Sequence, residues 1–208
     1  LDIENSVTQR GGKTHFDPFE PTNELVLVGV LYESGDEDQF NYFKKGLGYN
    51  SATLQTILNE TTLLIGHNIA YDLVWLWECG FEYDGEVFDT MLGEYLLQRG
   101  QKQPLSLEAC AQRYELETQK ESTLKDYLKK GVGVEAIPSE ELSDYLSADL
   151  HATQQLYDKI QERLQGEEDS RLNKTIKMTN QVACVLARIF QRGFTVNKDE
   201  LKKVKEEF

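Results

Sequence analysis

The order of apolar and polar positions predicts an α/β fold in which strands precede most of the helices. Residues 1–5 form a short strand-like opening, and residues 24–32 (ELVLVGVLY) are apolar enough for a buried central strand. Residues 39–43 alternate polar with aromatic side chains, which predicts a third strand in a hairpin or meander with the first two. Residues 61–65 predict a short strand that stops at Gly66.

Helical periodicity dominates the chain from position 51 onward. Apolar side chains recur every three or four residues in segments 51–60, 69–79, 89–98, 106–114, 122–130, 139–164 and 172–192. Strands followed by a mostly helical remainder indicate a sheet covered by helices. The polar stretch over residues 6–23 contains glycine and proline and predicts a loop.

A short charged segment divides the helical half of the chain. Residues 165–170, with the sequence QGEEDS, place three carboxylates and a glycine between two long helical patterns. We therefore expect a first domain over residues 1–165 and a separate helical segment over residues 166–208.

The composition shows that the chain carries a strong net negative charge. Of the 208 residues, 39% are apolar and 28% charged, which is typical of a soluble globular protein. The net charge of −14 argues against a broad basic surface for nucleic acid, because such affinity comes from Lys and Arg that replace counterions. Contact with DNA would therefore need bound metal ions or a basic partner domain.

Neither a membrane span nor an oxidising compartment is expected. No apolar run is long enough to cross a bilayer, and the chain shows no signal peptide pattern. Cys79, Cys110 and Cys184 are far apart in helix-like patterns, so we interpret them as reduced core residues of an intracellular protein.

The opening strand carries the first candidate for chemistry. Asp2 and Glu4 are two positions apart, so a strand directs both side chains to one face. Two like charges on one face repel, and such a pair persists most easily when a cation lies between them. The alternative is a solvated strand end without function.

The second candidate lies at the junction of the short strand with the next helix. Asp72 falls on the apolar stripe of Ile69, Trp75 and Leu76, where an unpaired carboxylate would be costly. The alternative is that Asp72 lies at the edge of the stripe and is solvated. His67 and Asn68 precede this helix and could simply cap it.

The third candidate lies on the long helical pattern from residue 139. Asp149 falls on its inward stripe, which is otherwise formed by Leu142, Leu146, Thr153, Leu156 and Ile160. Tyr145 precedes Asp149 by four residues, so its hydroxyl can reach the same patch of surface. The alternative for Tyr145 is a core aromatic with a solvated hydroxyl.

Together these elements predict a metal site. Four carboxylates do not converge without cations that neutralise them, and an all-carboxylate donor set favours Mg²⁺ or Mn²⁺ over Zn²⁺. Two such ions about 3.5–4 Å apart can activate a water and stabilise the leaving oxygen in phosphodiester hydrolysis.

The ordered set Asp2-x-Glu4, Asn68-x-x-Tyr71-Asp72 and Tyr145-x-x-x-Asp149 resembles the three exonuclease motifs of the DEDD superfamily, in its tyrosine-bearing branch (DEDDy). The resemblance covers residues 1–164. It implies an RNase H-like α/β fold, in which a mixed β-sheet is flanked by helices and a helical extension follows. It also implies hydrolysis from the 3′ end.

The resemblance also implies roles for individual residues. Two divalent ions, Mg²⁺ or Mn²⁺, would be held by Asp2, Glu4, Asp72 and Asp149. Tyr145 would orient the attacking water. The terminal nucleotides of a single-stranded DNA 3′ end would lie near Asn68, His67 and Thr8.

The tail resembles the segment where family A DNA polymerases, phage enzymes above all, pass from the exonuclease to the polymerase domain. This similarity covers residues 178–208. It implies a proofreading fragment whose partner is the polymerase domain of the same polypeptide, with a cytoplasmic location, in the host cell if phage-encoded. The alternatives are an RNase D-like exoribonuclease, which the tail disfavours, and a catalytically silent module, which the intact acidic set disfavours.

Overall fold

The computed structural model describes residues 1–44, 47–48, 51–116, 127, 130–165 and 171–207, with backbone alone for residues 42–44, 47–48 and 51. The strands are β1 (Asp2–Asn5), β2 (Thr8–Arg10), β3 (Lys13–His15), β4 (Leu25–Leu31), β5 (Glu37–Lys44), β6 (Leu47–Gly48), β7 (Leu63–Gly66) and β8 (Glu86–Asp89). The helices are α1 (Ser51–Glu60), α2 (Ala70–Glu78), α3 (Thr90–Leu97), α4 (Leu107–Tyr114), α5 (Ser139–Gln165), α6 (Arg171–Arg192) and α7 (Lys198–Glu207), with a 3₁₀ turn at Val134–Ala136.

The first strands form an antiparallel sheet in the order β1-β4-β5-β6. This confirms the predicted meander and places the apolar strand β4 between its neighbours. In the ladder between β1 and β4, Asp2 lies opposite Gly29 and Glu4 lies opposite Leu27. The register therefore fixes both acidic side chains of β1 against the centre of the sheet.

β7 and β8 form a parallel pair beside this sheet. The Leu1 nitrogen donates to the Ile65 carbonyl oxygen at 2.7 Å, so β7 lies next to the start of β1. The apolar pattern predicted β7 (LLIG) but not β8 (EVFD), because the two apolar residues of β8 lie between two charged ones and form no apolar run. The helix predicted from residue 89 begins at Thr90, and Asp89 caps it through the N–H groups of Met91 and Leu92.

The predicted loop over residues 6–23 is wrong in part, because it contains the β2–β3 hairpin. Gly11 and Gly12 connect the strands with φ angles of +62° and +73°, the left-handed conformation that a two-residue hairpin turn requires. Each strand has three residues and no apolar alternation, so the hairpin gave no periodic signal. It follows directly on β1 and lies near Asp2 and Glu4 in sequence.

The other helices agree with their predicted segments within one or two residues, including α1, α4, α5 and α6. The helix predicted over residues 122–130 lies outside the described residues, apart from Tyr127 and Lys130. None of the helices in the described ranges combines the length and hydropathy that a bilayer crossing requires. Cys79 and Cys110 are buried, Cys184 is partly buried, and all three are free thiols.

α6 packs on the preceding elements although it follows the charged segment. Ile176 and Ala187 are buried in core clusters with residues of the first domain. Asn180 is 3% exposed, and its Oδ1 accepts from the Asp89 N–H at 3.3 Å. The domain boundary near residue 165 stays a prediction, since this helix shares its core with the first 165 residues.

Gly29 allows α5 to lie close to β4. A Cβ atom at this position would lie 2.7 Å from Leu150 Cδ1 and 2.8 Å from Leu146 Cδ2. Both leucines are almost fully buried, and both lie within one helical turn of Asp149. The missing side chain therefore sets the distance between the long helix and the sheet.

We predict that Gly29→Ala lowers the free energy of unfolding by about 1–3 kcal/mol, because the new methyl group overpacks this contact. Urea unfolding followed by circular dichroism measures the loss. The double variant Gly29→Ala/Leu150→Ala should lose less than the sum of the two single variants, since Leu150→Ala removes the nearest clashing atom. Strict additivity of the two losses would show that the contact is not the cause.

Candidate active site

β1 and α5 bring three carboxylates together. Asp2 and Glu4 point to one face of β1, while Ile3 between them is buried at 6% exposure. Asp149 projects from α5, and one carboxylate oxygen of each acidic residue lies within 4.8 Å of the other two. The interpretation of Asp2 and Glu4 as an isolated, solvated strand end is therefore wrong.

Asp72 lies beside this group in the first turn of α2. Its side chain is 4% exposed, so the alternative of a solvated residue at the edge of the stripe is wrong. Burial, followed by the charge of Asp2, raises the pKa of Asp72. The charge of Asp72 in turn adds to the larger effects of burial, Asp2 and Asp149 that raise the pKa of Glu4. All four acidic residues therefore belong to one electrostatic site, with Asp72 outside the group defined by the 4.8 Å distance.

Burial and mutual repulsion hold protons on this site. Burial and the charge of Asp149 raise the pKa of Asp2 to about 7. Burial, followed by the charges of Asp2, Asp149 and Asp72, raises the pKa of Glu4 well above its ordinary value. At neutral pH the group without a cation therefore binds protons that ordinary carboxylates would release.

The donor chemistry fits a hard divalent cation. Asp2, Glu4 and Asp149 offer carboxylate oxygens only, and Mg²⁺ and Mn²⁺ prefer oxygen ligands. A structural zinc site would use cysteine or histidine ligands, and within the described ranges the group of potential ligands contains neither. A bound cation would also relieve the repulsion that raises these pKa values.

Tyr145 lies one turn before Asp149 on α5 and is partly exposed. The spacing of four residues puts both side chains on the same face of the helix. Tyr145 and Asp149 therefore leave the same side of α5. Its role in orienting a water stays a prediction.

The three residues predicted to contact the substrate, His67, Thr8 and Asn68, differ in their hydrogen bonds within the protein. His67 Nδ1 lies 2.9 Å from Thr90 Oγ1, and its Nε2 lies 2.8 Å from the Leu105 carbonyl oxygen. Thr8 Oγ1 donates to Asn23 Oδ1 at 2.7 Å. The side chain of Asn68 is exposed. His67 and Thr8 thus use their polar atoms within the protein, and contact of all three with a nucleotide stays a prediction.

Neither His67 nor Asn68 caps α2, because Ile69 occupies the N-cap position and no side chain hydrogen-bonds there. Asp89 holds this connection instead. Its Oδ1 accepts from the Asn68 N–H at 3.0 Å, and Asn68 has a left-handed φ of +63°. In the sequence, Asp89 is the first residue of the predicted helical segment 89–98, and an Asp at the start of a helical pattern is a signal for a capping residue.

Comparison with known proteins gives a family match over much of the chain. The model of a 3′-5′ exonuclease family matches residues 28–165, which include Asp72, Tyr145 and Asp149. DNA polymerase I of Synechocystis sp. is 26% identical over 186 residues, which make up 89% of this chain and 18% of that protein. The chain therefore spans less than a fifth of the length of this relative.

Solved structures with the same fold include NrnC of Brucella melitensis. NrnC bound to pGG gives a TM-score of 0.63 at 16% identity, over 94% of this chain and 86% of that one. NrnC with bound Mg²⁺ gives a TM-score of 0.63 at 16% identity, over 92% and 84% of the two chains. This likeness confirms the predicted RNase H-like α/β fold.

The raised carboxylate pKa values predict a pH-dependent stability of the protein in EDTA. The pKa of Asp2 is about 7 in the folded protein, whereas its ordinary value is 3.8. The contribution of the protonated Asp2 side chain to the free energy of unfolding is therefore complete below about pH 4 and is lost as the pH rises through 7. Asp2→Asn removes this loss of stability at high pH, because an amide side chain does not ionise. Its melting temperature in EDTA should therefore exceed that of the parent by several degrees at about pH 8, and the difference should shrink toward pH 5.

Calorimetric melting of both proteins across this pH range measures the difference. Asp144→Asn, at an exposed position on α5, is the matched control and should follow the parent. Addition of Mg²⁺ should raise the melting temperature of the parent more than that of Asp2→Asn. A difference that is constant with pH would contradict the assignment of Asp2 to a repulsive cluster.

Proposed function

The chain belongs to the 3′-5′ exonuclease family, and from this membership we propose that it hydrolyses DNA from single-stranded or mismatched 3′ ends as the proofreading part of a DNA polymerase. The observation that carries the proposal is the group formed by Asp2, Glu4 and Asp149, with oxygens within 4.8 Å of one another beside the buried Asp72. Such a concentration of like charge suits a site whose ligand is a cation.

In this proposal Asp2, Glu4, Asp72 and Asp149 hold two divalent ions, Mg²⁺ or Mn²⁺. When bound, such ions activate a water and stabilise the leaving oxygen of a phosphodiester. The fold likeness to NrnC with bound Mg²⁺ supports the use of a divalent ion. The carboxylates themselves repel a phosphodiester, so the strand binds productively only after their charge is neutralised.

The remaining polar groups act on the water and on the strand. Tyr145 lies one turn from Asp149, so its hydroxyl can hydrogen-bond the attacking water, as in the tyrosine-bearing branch of the superfamily. Asn68 presents an exposed amide at the start of α2 and can contact the terminal nucleotide. His67 binds the Leu105 carbonyl oxygen and Thr8 binds the side chain of Asn23, and in this proposal both residues lie near the terminal nucleotides.

Two observations support DNA and a polymerase partner. The similarity to DNA polymerase I of Synechocystis extends over 89% of this chain. α6 also exposes an apolar stripe at spacings of three and four residues, formed by Met178, Val182, Val185 and Ile189. A polymerase domain of the same polypeptide would cover this stripe and supply basic surface for DNA to complement the net charge of −14 of this chain. A phage source and a cytoplasmic location belong to the same proposal.

The second candidate is an RNase D-like 3′-5′ exoribonuclease, which would use the same carboxylates. The fold likeness to NrnC bound to pGG supports a site that accepts the end of a short oligonucleotide. The observed site does not distinguish the sugars of DNA and RNA. A catalytically silent module is disfavoured, because three of the four acidic residues already lie together.

We predict that Asp149→Asn and Tyr145→Phe slow cleavage to different extents. Loss of a ligand at Asp149 should reduce the rate by more than about 1,000-fold, whereas loss of the phenol hydroxyl should reduce it by about 10- to 100-fold. Single-turnover degradation of a 3′-labelled oligonucleotide with Mg²⁺ measures both rates. Mn²⁺ affinity by calorimetry should fall in Asp149→Asn and persist in Tyr145→Phe; a Tyr145→Phe protein that fails to bind Mn²⁺ would contradict its role.

The proposal also predicts an order of substrates. Splaying the last base pairs of a duplex costs a few kcal/mol, and less at a mismatch, so a site that admits one strand should favour unpaired ends. Single-stranded DNA should be degraded fastest, mismatched primer ends next and paired ends slowest. A time course on three substrates with one shared labelled strand, repeated with RNA and with EDTA, provides the test. Equal rates on paired and unpaired ends would exclude proofreading, and faster cleavage of RNA would favour the second candidate.

A further inference from the structure

Two polar side chains of β5 contact the long helix α5. Glu37 and Gln39 are two positions apart on β5, so both side chains leave the same face of the sheet. Ser143 and Ser147 are four positions apart on α5, so they lie one turn apart on one side of this helix. The two pairs meet although 104 and 110 positions of sequence separate the bonded residues.

Gln39 binds Ser143 through both ends of its amide. Its Oε1 accepts from Ser143 Oγ at 2.7 Å, and its Nε2 donates to the Ser143 carbonyl oxygen at 3.0 Å. The same Nε2 donates to Glu37 Oε1 at 2.5 Å. A flipped amide would turn its oxygen toward a carbonyl oxygen and a carboxylate oxygen, so only one orientation satisfies all of these groups.

Glu37 extends the contact by one helical turn. Its Oε2 accepts from Ser147 Oγ at 2.7 Å. All four side chains are partly buried, so water competes with these bonds only in part. The hydrogen bonds among Gln39, Glu37, Ser143 and Ser147 are called the β5–α5 contact below.

The β5–α5 contact lies at one end of a row of residues that leads to the carboxylates. Asp2 of β1 lies opposite Gly29 of β4, and Gly29 lies opposite Gln39 of β5. Residues directly opposite one another share a face of the sheet, so all three face α5. Asp149 of α5 lies beside Asp2 at one end of this row. Ser143 of the same helix is bound to Gln39 at the other end.

The leucines of α5 set how closely this helix lies on the sheet, but not its position along its own axis. Leu146 and Leu150 contact Gly29, which has no side chain that could interlock with them. Such apolar contacts are non-directional. The hydrogen bonds of Gln39 are directional, and a shift of α5 by one residue, about 1.5 Å, would take them out of the usual range. The β5–α5 contact therefore determines where Asp149 lies along the row.

This contact does not occupy the side of α5 that carries the site. Ser147 is two residues from both Tyr145 and Asp149, a spacing at which helical side chains do not face each other. Gln39 and Ser143 use their polar atoms on each other. An effect of these residues on the reaction is therefore transmitted through α5.

We propose that Gln39 and Ser143 are positioning residues of the nuclease site, which hold Asp149 and Tyr145 where they bind metal and orient the attacking water. The proposal rests on the nuclease function proposed above and adds to it residues that act through the helix. Loss of a group that orients a metal ligand commonly costs about 10- to 100-fold in metal affinity or activity. A similar loss follows when reacting groups are displaced by about 1 Å.

The test begins with Gln39→Ala, which removes the three hydrogen bonds of the amide. On a 3′-labelled single strand with Mg²⁺, kcat should fall about 10- to 100-fold while KM changes less than about twofold, because no group that binds the strand is removed. The Kd for Mn²⁺, measured by calorimetry, should rise about tenfold. Ser143→Ala removes the hydroxyl bond alone and should give a smaller loss in the same direction. The double variant should be no slower than Gln39→Ala, because both changes remove one contact.

Gln55→Ala is the matched control. Gln55 is also partly buried, and its amide also joins two segments: its Nε2 donates to the Glu82 carbonyl oxygen and its Oε1 accepts from the Glu82 N–H, both at 2.9 Å. Gln55→Ala should lower the melting temperature as Gln39→Ala does, but keep the kcat and the Mn²⁺ affinity of the parent. Equal kcat losses in the two variants, or an unchanged kcat in Gln39→Ala, would overturn the proposal.

Failure of the nuclease function is recognised separately. A parent protein that hydrolyses neither DNA nor RNA with Mg²⁺ would reject the proposed function. The Mn²⁺ affinities of Gln39→Ala and Gln55→Ala would still decide the positioning role, because this measurement needs no hydrolysis. Equal affinities in these two variants would overturn that role.

Discussion

Repulsion among the carboxylates is the constraint on which the rest of the structure depends. One carboxylate oxygen each of Asp2, Glu4 and Asp149 lies within 4.8 Å of the others, and burial and repulsion raise the pKa values of Asp2 and Glu4. The scaffold must supply the energy that keeps them together. It does so through the β1–β4 ladder, which fixes Asp2 opposite Gly29, and through the contact of α5 with the same glycine.

Specific hydrogen bonds also fix the connection from β7 to α2. Asn68 has a left-handed backbone, and its N–H is bound by the carboxylate of Asp89. Thr90 Oγ1 donates to the Gly66 carbonyl oxygen at 3.2 Å, which ties the end of β7 to the start of α3. α2 therefore starts at one position, and Asp72 in its first turn is buried beside β1 as a consequence. A substitution at Asp89 would therefore act on the site through the backbone of Asn68.

The helices and the acidic residues on them could be predicted from the sequence, because apolar residues recur regularly at helical spacing. Asp149 and Asp72 were found as acidic residues on stripes that should be buried, and the stripe around Asp149 is indeed buried at Leu146, Leu156 and Ile160. The hairpin and β8 could not be found, because the hairpin strands (TQR and KTH) are wholly polar and β8 (EVFD) has only two apolar residues between two charged ones. The bond between Asn68 and Asp89 and the contact at Gly29 join residues more than 20 positions apart, and no local pattern encodes them.

The hydrogen bond of Asn180 has a consequence for the orientation of α6. Apolar contacts alone allow a helix to slide or rotate by part of a turn at little cost, whereas a buried amide with one partner is satisfied in a single register. The Asp89 N–H is that partner. Asn180 thus fixes both the axial position and the rotation of α6, and with them the direction in which Val182, Val185 and Ile189 face outward. Together with the Lys177–Glu86 pair at 2.6 Å and the hydrogen bond from Gln191 to Glu78 at 2.9 Å, this core amide sets the angle at which a neighbouring domain would approach.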